Sequence, residues 1–345
     1  MSGVMKFSKT ALITGAAGFI GFHVCKKFLS EGWKVIGLDN MSEYYDVTLK
    51  EHREDILLKF KNYQSVRGKV EEPSLLMSLF EAKKPDIVVH LAAQAGVRYS
   101  IDNPRAYLES NIVGTFELLE AARYFTPGHV LIASTSSAYG ANKDTPFVEN
   151  SKTDHQMSFY AATKKSTENI AHSYSHLFNI PVTMFRFFTV YGPWGRPDMA
   201  LFKFTKAILS DQPIDVYNHG DMVRDFTYID DLVRAIELLA EKVPLTEKQR
   251  PKGTLSFDSL SPVAPFRIVN IGNSSSVPLI KFIAEIEKVI GKEAKKNFKP
   301  MQAGDVPNTL ASNKLLRELT NFSPNTNVEV GIKNFIDWYR FFYKV

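Results

Sequence analysis

The 345-residue sequence is short of cysteine and of long apolar runs. Its only cysteine, Cys25, excludes an internal disulfide framework and any metal site built from several cysteines. We predict that Cys25 is a buried core thiol, because it lies within the first helical pattern. No run approaches the roughly 18 apolar residues that cross a bilayer, and the N-terminus lacks an apolar signal segment. We therefore expect a cytoplasmic protein with no membrane partner and no metal.

Clustered charge is also lacking. The formal net charge of +5 and the isoelectric point near 9.0 would permit an anionic partner. The basic residues are scattered, however, with no long Lys/Arg block and no interleaved aromatic stripe. Binding to nucleic acid is therefore not expected, and the anion is expected to be small. The hydrophobic content of 44% allows a sizeable core, as one large or two moderate domains.

A glycine-rich turn follows the first apolar segment. Residues 9–13 have a strand pattern, Gly15, Gly18 and Gly21 come next, and residues 22–31 have helical periodicity. Strand, glycine turn and helix in this order are typical of the phosphate-binding corner of a dinucleotide fold. The glycines allow close backbone approach, and the helix N-terminus offers free N–H groups to a pyrophosphate.

The second predicted strand, residues 34–38, ends at Asp39, about twenty residues past the glycines. A carboxylate at this position can accept hydrogen bonds from both ribose hydroxyls and would repel a 2′-phosphate. This favours NAD over NADP as the cofactor. The alternative is that Asp39 serves only as a turn residue or helix cap.

Continuous apolar runs indicate a parallel sheet that is covered on both faces. These runs are residues 86–91, 129–133 and 182–187, and residues 104–124 between them have helical periodicity. The alternation of strand and helix predicts an α/β protein with a doubly wound parallel sheet, the Rossmann fold.

The second half of the chain has more turn residues and a less regular alternation. We expect residues 1–185 to form mainly the NAD-binding domain and residues 186–345 mainly a smaller α/β lobe that binds the substrate. The lobe would close over the carboxyl edge of the sheet, and its chain would cross back to that sheet. Residues 245–266 are rich in proline and serine and are predicted to be a surface excursion.

A tyrosine and a lysine stand four residues apart in a helical segment. Side chains at this spacing lie one above the other, so Tyr160 and Lys164 can share a pocket. A nearby positive charge lowers the pKa of a tyrosine from its ordinary value of about 10, and Tyr160 could then act as a base. The alternative is an ordinary surface pair. The same spacing recurs at Tyr139 and Lys143, among turn residues, and we attribute that copy to chance.

Six motifs occur in one order along nearly the whole chain: GAAGFIG, HLAAQAGVRYS, STSSAYG, YAATK, RFFTVYGPWGRPDMA and RDFTYIDD. With them the chain resembles the nucleotide-sugar branch of the extended short-chain dehydrogenase/reductase superfamily. Within that branch, LDNMSEYYDVTLKEHR and FFTVYGPWGRPDMALFKF are similar to the UDP-glucuronate 4-epimerases. The resemblance implies an NAD-dependent isomerase that converts UDP-glucuronate to UDP-galacturonate through a transient 4-keto intermediate, in carbohydrate metabolism that supplies polysaccharide biosynthesis.

The resemblance also implies roles for individual residues. Thr135, Tyr160 and Lys164 would perform the chemistry: Tyr160 moves the proton of the sugar's 4-hydroxyl, Thr135 holds the same oxygen, and Lys164 lowers the tyrosine pKa. The residues expected to bind NAD are Gly15, Gly18, Phe19, Ile20, Gly21, Asp39, Asn40, Leu91, Ala92 and Ala93, together with Tyr160 and Lys164. The residues expected to bind the substrate are Arg98, Ser136, Ser137, Thr189, Arg196, Arg224 and Asp305.

Some of these assignments have alternatives. Arg224 could form a structural salt bridge instead of holding the diphosphate, with Asp225, Asp230 or Asp231 as its partner. Ser136 and Ser137 could form only a strand-end turn. Many relatives carry an aspartate near the adenine where this chain has Gly68-Lys69-Val70, which leaves the adenine contact open.

Relatives that catalyse other reactions differ in the loop after Thr135. Sugar 4,6-dehydratases place Asp-Glu there and decarboxylating relatives keep a glutamate, whereas Ser136, Ser137 and Ala138 supply no carboxyl group. An epimerase of UDP-glucose or UDP-N-acetylglucosamine remains an alternative. A regulator that binds NAD without chemistry would be expected to lose Tyr160 or Lys164 first. The resemblance further implies a homodimer, in which the helix with Tyr160 and the helix near residues 104–124 form a four-helix bundle with their symmetry mates.

Overall fold

The computed structural model describes residues 9–250 and 257–345. Its strands in chain order are β1 Thr10–Thr14, β2 Lys34–Asp39, β3 Tyr63–Arg67, β4 Ile87–His90, β5 His129–Ala133, β6 Val182–Phe187, β7 Thr189–Tyr191, β8 Ile214–Val216, β9 Val223–Tyr228, β10 Phe266–Ile271, β11 Ser276–Pro278 and β12 Lys296–Phe298. Seven of them form a parallel sheet at the centre, in the order β10-β6-β5-β4-β1-β2-β3.

Helices connect the strands. They are α1 Phe19–Ser30, α2 Val47–Leu57, α3 Leu75–Lys83, α4 Tyr99–Asp102, α5 Pro104–Tyr107, α6 Gly114–Tyr124, α7 Phe159–Phe178, α8 Ala200–Leu209, α9 Ile229–Ala240, α10 Leu279–Ile290, α11 Lys314–Thr320 and α12 Val328–Tyr343. A π-helical turn, Leu108–Val113, joins α5 to α6. The predicted helical stretch 104–124 is therefore present, but its middle has wider turns.

The two faces of the sheet carry separate apolar cores. Ala11 and Ile13 of β1 belong to one core, and Leu12, which points to the other face, belongs to the second. Successive side chains of a strand alternate between faces, so a continuous apolar run satisfies both cores. This confirms the prediction of a parallel sheet covered on both sides, and with it the α/β fold class. Cys25 is fully buried in the first core, as predicted.

The second half of the chain contributes to both regions. Its strand β10 pairs with β6 at the edge of the large sheet, and α9 packs against α1. Its other strands form a three-stranded sheet, β11-β9-β7, and a two-stranded sheet, β12-β8. The division at residues 185 and 186 stays a prediction. Residues 251–256 of the predicted surface excursion lie outside the described residues, and none of the described helices is long and apolar enough to span a membrane.

Candidate active site

The glycine-rich turn lies at the carboxyl end of β1, in close contact with its surroundings. Gly15 has a φ of +73°, and a Cβ there would lie 2.8 Å from the backbone nitrogen of Ala92. A Cβ on Gly21 would overlap the carbonyl oxygen of Gly15. Gly18 is the N-cap of α1, so Phe19 and Ile20 form its first turn. Only glycines permit this packing, and the free N–H groups of α1 suit a pyrophosphate.

Asp39 is fixed beside this turn. One carboxylate oxygen accepts a 3.0 Å hydrogen bond from the Ala17 N–H, and the other accepts one of 2.8 Å from the Met41 N–H. Each oxygen has a further lone pair, so the carboxylate is able to bind ribose hydroxyls as well. The residue fits NAD, and Asn40 follows it directly.

The loop after β4 closes the other side of the turn. Leu91 and Ala92 donate their N–H groups to the Thr14 hydroxyl, at 3.2 and 3.1 Å, and Ala93 follows. These residues and the glycine turn therefore line one crevice at the carboxyl edge of the sheet, which is where ligands of open α/β sheets bind. In residues 9–250 and 257–345 there is no group of three or more His, Cys, Asp or Glu residues that could hold a metal ion.

The predicted catalytic residues come from one helix and one strand end. Tyr160 and Lys164 lie on α7, and Thr135 lies just after β5. The Ser158 side chain caps α7 by accepting a 3.1 Å hydrogen bond from the Ala161 N–H, which starts the helix just before Tyr160. Thr135 follows β5, and its hydroxyl lies near enough to the Tyr160 phenol to lower the tyrosine pKa. By contrast Tyr139, of the other Tyr-x-x-x-Lys copy, is buried, while its Lys143 is exposed.

The electrostatics of Tyr160 differ from the prediction. Burial raises the pKa of Tyr160, and the Thr135 hydroxyl and the charge of Arg196 act in the opposite direction. Lys164 is not among the causes of this shift, so its predicted influence on the Tyr160 pKa stays a prediction. Lys164 is only 2% exposed, and burial lowers its own pKa to about 8, with Glu168 opposing. A lysine with this pKa is still mostly a cation at neutral pH, but it loses its charge at a lower pH than an ordinary lysine.

The residues predicted to bind the sugar lie in two places, the loop after Thr135 and the loop around β7. Ser136 and Ser137 are half-buried in the short 3₁₀ helix that Thr135 caps, so the predicted strand-end turn is present. Thr189, at the start of β7, and Arg196 line one cavity. Arg196 forms an ion pair with Asp198, with a 2.9 Å hydrogen bond between Nε and Oδ1.

Arg98, Arg224 and Asp305 form a second polar cluster. Arg98 Nη2 lies 3.4 Å from Asp305 Oδ2, and the Arg98 guanidinium lies 4.7 Å from the centre of the Tyr217 ring. Burial and the charge of Arg98 lower the pKa of Arg224, while Asp305 raises it. Two guanidinium groups around one carboxylate can bind a diphosphate and a ribose hydroxyl.

The alternative for Arg224, a salt bridge to a neighbouring aspartate, is wrong. Arg224 Nη1 donates to the backbone carbonyls of Pro307 and Val223, at 2.8 and 3.2 Å. Asp225 is instead buried and satisfied by backbone N–H groups, those of Asn273, Ser274 and Ala311. Arg224 forms no ion pair with any aspartate in the described part of the chain, and its remaining donors can bind a ligand.

The sequence did not indicate two residues that organise the site. Asn111 lies in the π-helical turn and bonds to Gln94 of the loop after β4 and to Thr163 of α7, at 2.8 and 2.9 Å. Arg53 of α2 is fully buried between loops. It belongs to the segment LDNMSEYYDVTLKEHR, whose family resemblance gives no sign of these contacts.

Comparisons with known proteins agree with this geometry. A probable UDP-glucuronate 4-epimerase from Rhizobium meliloti (strain 1021) is 52% identical over 328 residues, which cover 95% of this chain and 96% of that protein. UDP-glucuronate 4-epimerase 4 from Arabidopsis thaliana is 43% identical, over 97% of this chain and 76% of that protein. The crystal structure of UDP-glucuronic acid 4-epimerase from Bacillus cereus, in complex with UDP-glucuronic acid and NAD, superposes with a TM-score of 0.86 at 32% identity. That superposition covers 97% of this chain and 100% of the crystallised one.

Residues 11–250 match one protein family, whose description is NAD dependent epimerase/dehydratase. This match confirms the resemblance inferred from the motifs, and the family's dependence on NAD confirms the predicted cofactor. The chain therefore belongs to the NAD dependent epimerase/dehydratase family.

Proposed function

We propose that the protein is a UDP-glucuronate 4-epimerase, which uses NAD to interconvert UDP-glucuronate and UDP-galacturonate. The observation that carries the proposal is that the Thr135 hydroxyl acts on the Tyr160 phenol, while the loop after Thr135 has no carboxyl group up to Ala138. Dehydration and decarboxylation need an acid or base that this loop lacks. The relatives named UDP-glucuronate 4-epimerases support the same choice.

The chain's own residues move and hold the proton at the sugar's 4-oxygen. Tyr160 removes the 4-hydroxyl proton, and the Thr135 hydroxyl holds the same oxygen during the transfer. NAD, when bound, accepts the hydride from carbon 4 and later returns it. After the sugar has turned, Tyr160 gives the proton back on the opposite face, so the centre is inverted. Thr135 and Arg196 offset part of the burial that disfavours the phenolate, and Lys164 would anchor the nicotinamide ribose.

The nucleotide must stay fixed while the sugar turns. Arg224 and Arg98 would hold the diphosphate, since guanidinium groups bind phosphate oxygens in pairs, and Asp305 would hold the uridine ribose. The backbone bonds of Arg224 support this role, because they orient its side chain without neutralising it. The crevice beside Gly15 and Asp39 would hold NAD, with residues 1–185 as the cofactor domain and residues 186–345 as the substrate lobe.

The sugar's carboxylate must be held out of alignment with the transient ketone. The oxidised intermediate of UDP-glucuronate is a β-keto acid, which loses carbon dioxide once its carboxylate aligns with the ketone. Ser136, Ser137 and Thr189 would bind the carboxylate on both faces of the turning ring without supplying an acid. Arg196 would add charge nearby, and its influence on the Tyr160 pKa supports its position beside the reacting oxygen.

We further propose that the protein is a cytoplasmic homodimer that supplies polysaccharide synthesis. Helices α6 and α7 pack side by side, and the Tyr174 hydroxyl donates a 2.6 Å hydrogen bond to Glu120. Both helices expose large apolar side chains, among them Phe116 and Leu177, which are 43% and 64% exposed. A four-helix bundle formed with a second copy would bury them.

The substrate proposal is tested with a panel of UDP-sugars and the purified protein. UDP-glucuronate should be epimerised faster than UDP-glucose or UDP-N-acetylglucosamine, because the polar donors of the site would otherwise lack their charged partner. Faster turnover of a neutral sugar would refute the substrate but leave the 4-epimerase mechanism. If no UDP-sugar produces even transient NADH absorbance, the protein is a regulator and not an enzyme.

A further inference from the structure

Arg53 of α2 connects three loops from the interior of the protein. Its side chain is fully buried, and Nη1 donates hydrogen bonds of 2.9 Å to both the Ala17 carbonyl and the Tyr45 hydroxyl. Nη2 donates one of 2.6 Å to the Trp194 carbonyl. No carboxylate is among these partners, so a buried charge is held by carbonyl and hydroxyl oxygens only. Buried charges without an acidic partner are rare, and this one has no part in the proton transfer described above.

The first of these contacts is to the cofactor side. Ala17 lies within the glycine turn, and its two backbone groups are both bound by the domain: its N–H by Asp39 at 3.0 Å and its carbonyl by Arg53. The Ala17 N–H and carbonyl belong to the two successive planar peptides on either side of its Cα, so the two bonds fix the orientation of both peptides of the turn. Arg53 and Asp39 therefore act on the same residue of the cofactor crevice.

The second contact is to the loop that carries Arg196. Trp194, two residues earlier, has a φ of +61°, a left-handed conformation that is unfavourable for a bulky residue. Arg53 holds the Trp194 carbonyl, and His23 Nε2 donates a 3.0 Å hydrogen bond to the Pro193 carbonyl. The strained loop thus takes its conformation from α1 and α2, which also border the cofactor crevice.

A second route joins Arg53 to Arg196. Tyr45, whose hydroxyl accepts from Arg53, adjoins Tyr44, whose hydroxyl donates to Asp198 Oδ2 at 3.4 Å. Asp198 is the ion-pair partner of Arg196. Contacts that start at Arg53 therefore position the backbone before Arg196. They also position Asp198, the acidic partner of Arg196.

We propose that Arg53 is a positioning residue that couples NAD binding to the placement of Arg196. Its planar fork bonds to the glycine turn and to the Arg196 loop at once, so a ligand that fixes either loop also favours the position of the other. This inference rests on the proposed function, because it takes Arg196 to lie beside the sugar of UDP-glucuronate. A lysine in place of Arg53 keeps the charge but cannot bridge the carbonyls in this fixed geometry.

The test measures exchange of bound NAD, so it starts from the protein with its cofactor. In a Tyr160→Phe background, which prevents turnover, bound NAD is exchanged against isotopically labelled NAD with and without saturating UDP-glucuronate. We expect UDP-glucuronate to slow the exchange about tenfold when Arg53 is present, and less than about twofold in Arg53→Lys or Arg53→Met. Tyr44→Phe, which removes only the contact to Asp198, should give an intermediate slowing and covers the case that the Arg53 variants do not fold.

Arg267→Lys is the matched control, because Arg267 is another buried arginine whose partner, Asp258, lies away from the site. It should keep the tenfold slowing, and thermal melting reports any general loss of stability. Equal slowing in the parent, Arg53→Lys and Tyr44→Phe would overturn the proposal, as would a parent that binds UDP-glucuronate without slower exchange. If calorimetry finds that the parent binds UDP but not UDP-glucuronate, the proposed substrate fails instead.

Discussion

The Glu168 carboxylate accepts two hydrogen bonds from the Arg186 guanidinium, each 2.8 Å long, and both side chains are only 1% exposed. Glu168 lies one helical turn after Lys164, and it also accepts a 2.7 Å hydrogen bond from the Ser134 hydroxyl. The ion pair joins α7 to β6, and because Ser134 directly precedes Thr135, the Ser134 bond joins α7 to the end of β5. The placement of Tyr160 relative to Thr135 thus depends on the buried Glu168 carboxylate.

We expect Arg186→Met to lower the free energy of unfolding by about 3–5 kcal/mol, because it leaves the Glu168 charge buried without its partner. Urea denaturation measures the change. Arg123→Met is the control, since its pair with Glu120 is 41% and 23% exposed and is worth about 1 kcal/mol or less. Similar losses in both variants would mean that burial adds nothing to the Arg186 pair.

Gly15→Ala should remove bound NAD from the purified protein. The new Cβ would lie 2.8 Å from the Ala92 backbone nitrogen, so the glycine turn or the loop after β4 must move. Gly32→Ala is a matched control: Gly32 also has a positive φ, +83°, but a Cβ there meets no atom within 4 Å. Both variants bear the left-handed cost of about 1–2 kcal/mol.

The measurement is the NAD or NADH released on denaturation. The parent and Gly32→Ala should release nearly one molecule per chain, because the cofactor is regenerated in every cycle and has no reason to leave. An empty parent that turns over only with added NADPH would contradict the interpretation of Asp39.

The sequence predicted those parts of the fold that local patterns encode. The strand that contains Leu12 and Ile13 is a continuous apolar run, and the helical period of 3.6 residues places Tyr160 and Lys164 on one face. The contacts of Arg53 could not be predicted in this way, because Ala17 and Trp194 are 36 and 141 residues away along the chain. No local propensity reports such separations.

The rise in the Tyr160 pKa could not be predicted from the sequence for a related reason. Charge spacing was visible in the sequence, but burial, which is the larger influence, depends on the tertiary structure. The alternative of a salt bridge between Arg224 and a neighbouring aspartate was wrong for the same reason. They adjoin it in sequence, whereas Asp225 is satisfied by backbone groups from distant loops.

The pH dependence of the rate should follow the charge of Lys164. A lysine whose pKa is lowered to about 8 is a cation below that pH and becomes neutral above it, well before an ordinary lysine does. If the cation holds the ribose, kcat/KM should fall as the pH rises through about 8. Lys164→Arg stays charged, so its alkaline fall should move up by at least about one pH unit, although its maximum rate is lower. An unchanged alkaline limb in this variant would exclude Lys164, provided that circular dichroism shows a folded protein throughout.

The oligomeric state should respond to charge on α6 and α7. Phe116→Glu and Leu177→Glu place carboxylates in the proposed four-helix bundle, where two copies would bury them, and should yield monomers by light scattering. Phe341→Glu of α12 is the control, because Phe341 is 86% exposed and lies outside the bundle. A parent that is monomeric, or variants that remain dimeric, would contradict the proposed interface.

The last prediction concerns the carboxylate of UDP-glucuronate during turnover. Ser136→Ala, Ser137→Ala and Thr189→Ala each remove one hydroxyl donor and should lower kcat/KM by roughly tenfold, about 1.4 kcal/mol, the scale of one hydrogen bond to a charged group. A carboxylate held less firmly reaches alignment with the 4-ketone more often. At least one variant should therefore release carbon dioxide and a UDP-4-keto-pentose, with NADH left on the protein because the ketone at carbon 4 leaves without being reduced.

Mass spectrometry of the products and the absorbance of NADH measure this leak. Ser30→Ala is the control, because the Ser30 hydroxyl is exposed and bonds only to the Lys27 carbonyl of its own helix. UDP-glucose, which has no carboxylate, should be handled equally by the parent and the three variants. If the variants lose as much activity toward UDP-glucose as toward UDP-glucuronate and never release a pentose, these hydroxyls shape the pocket without holding the carboxylate.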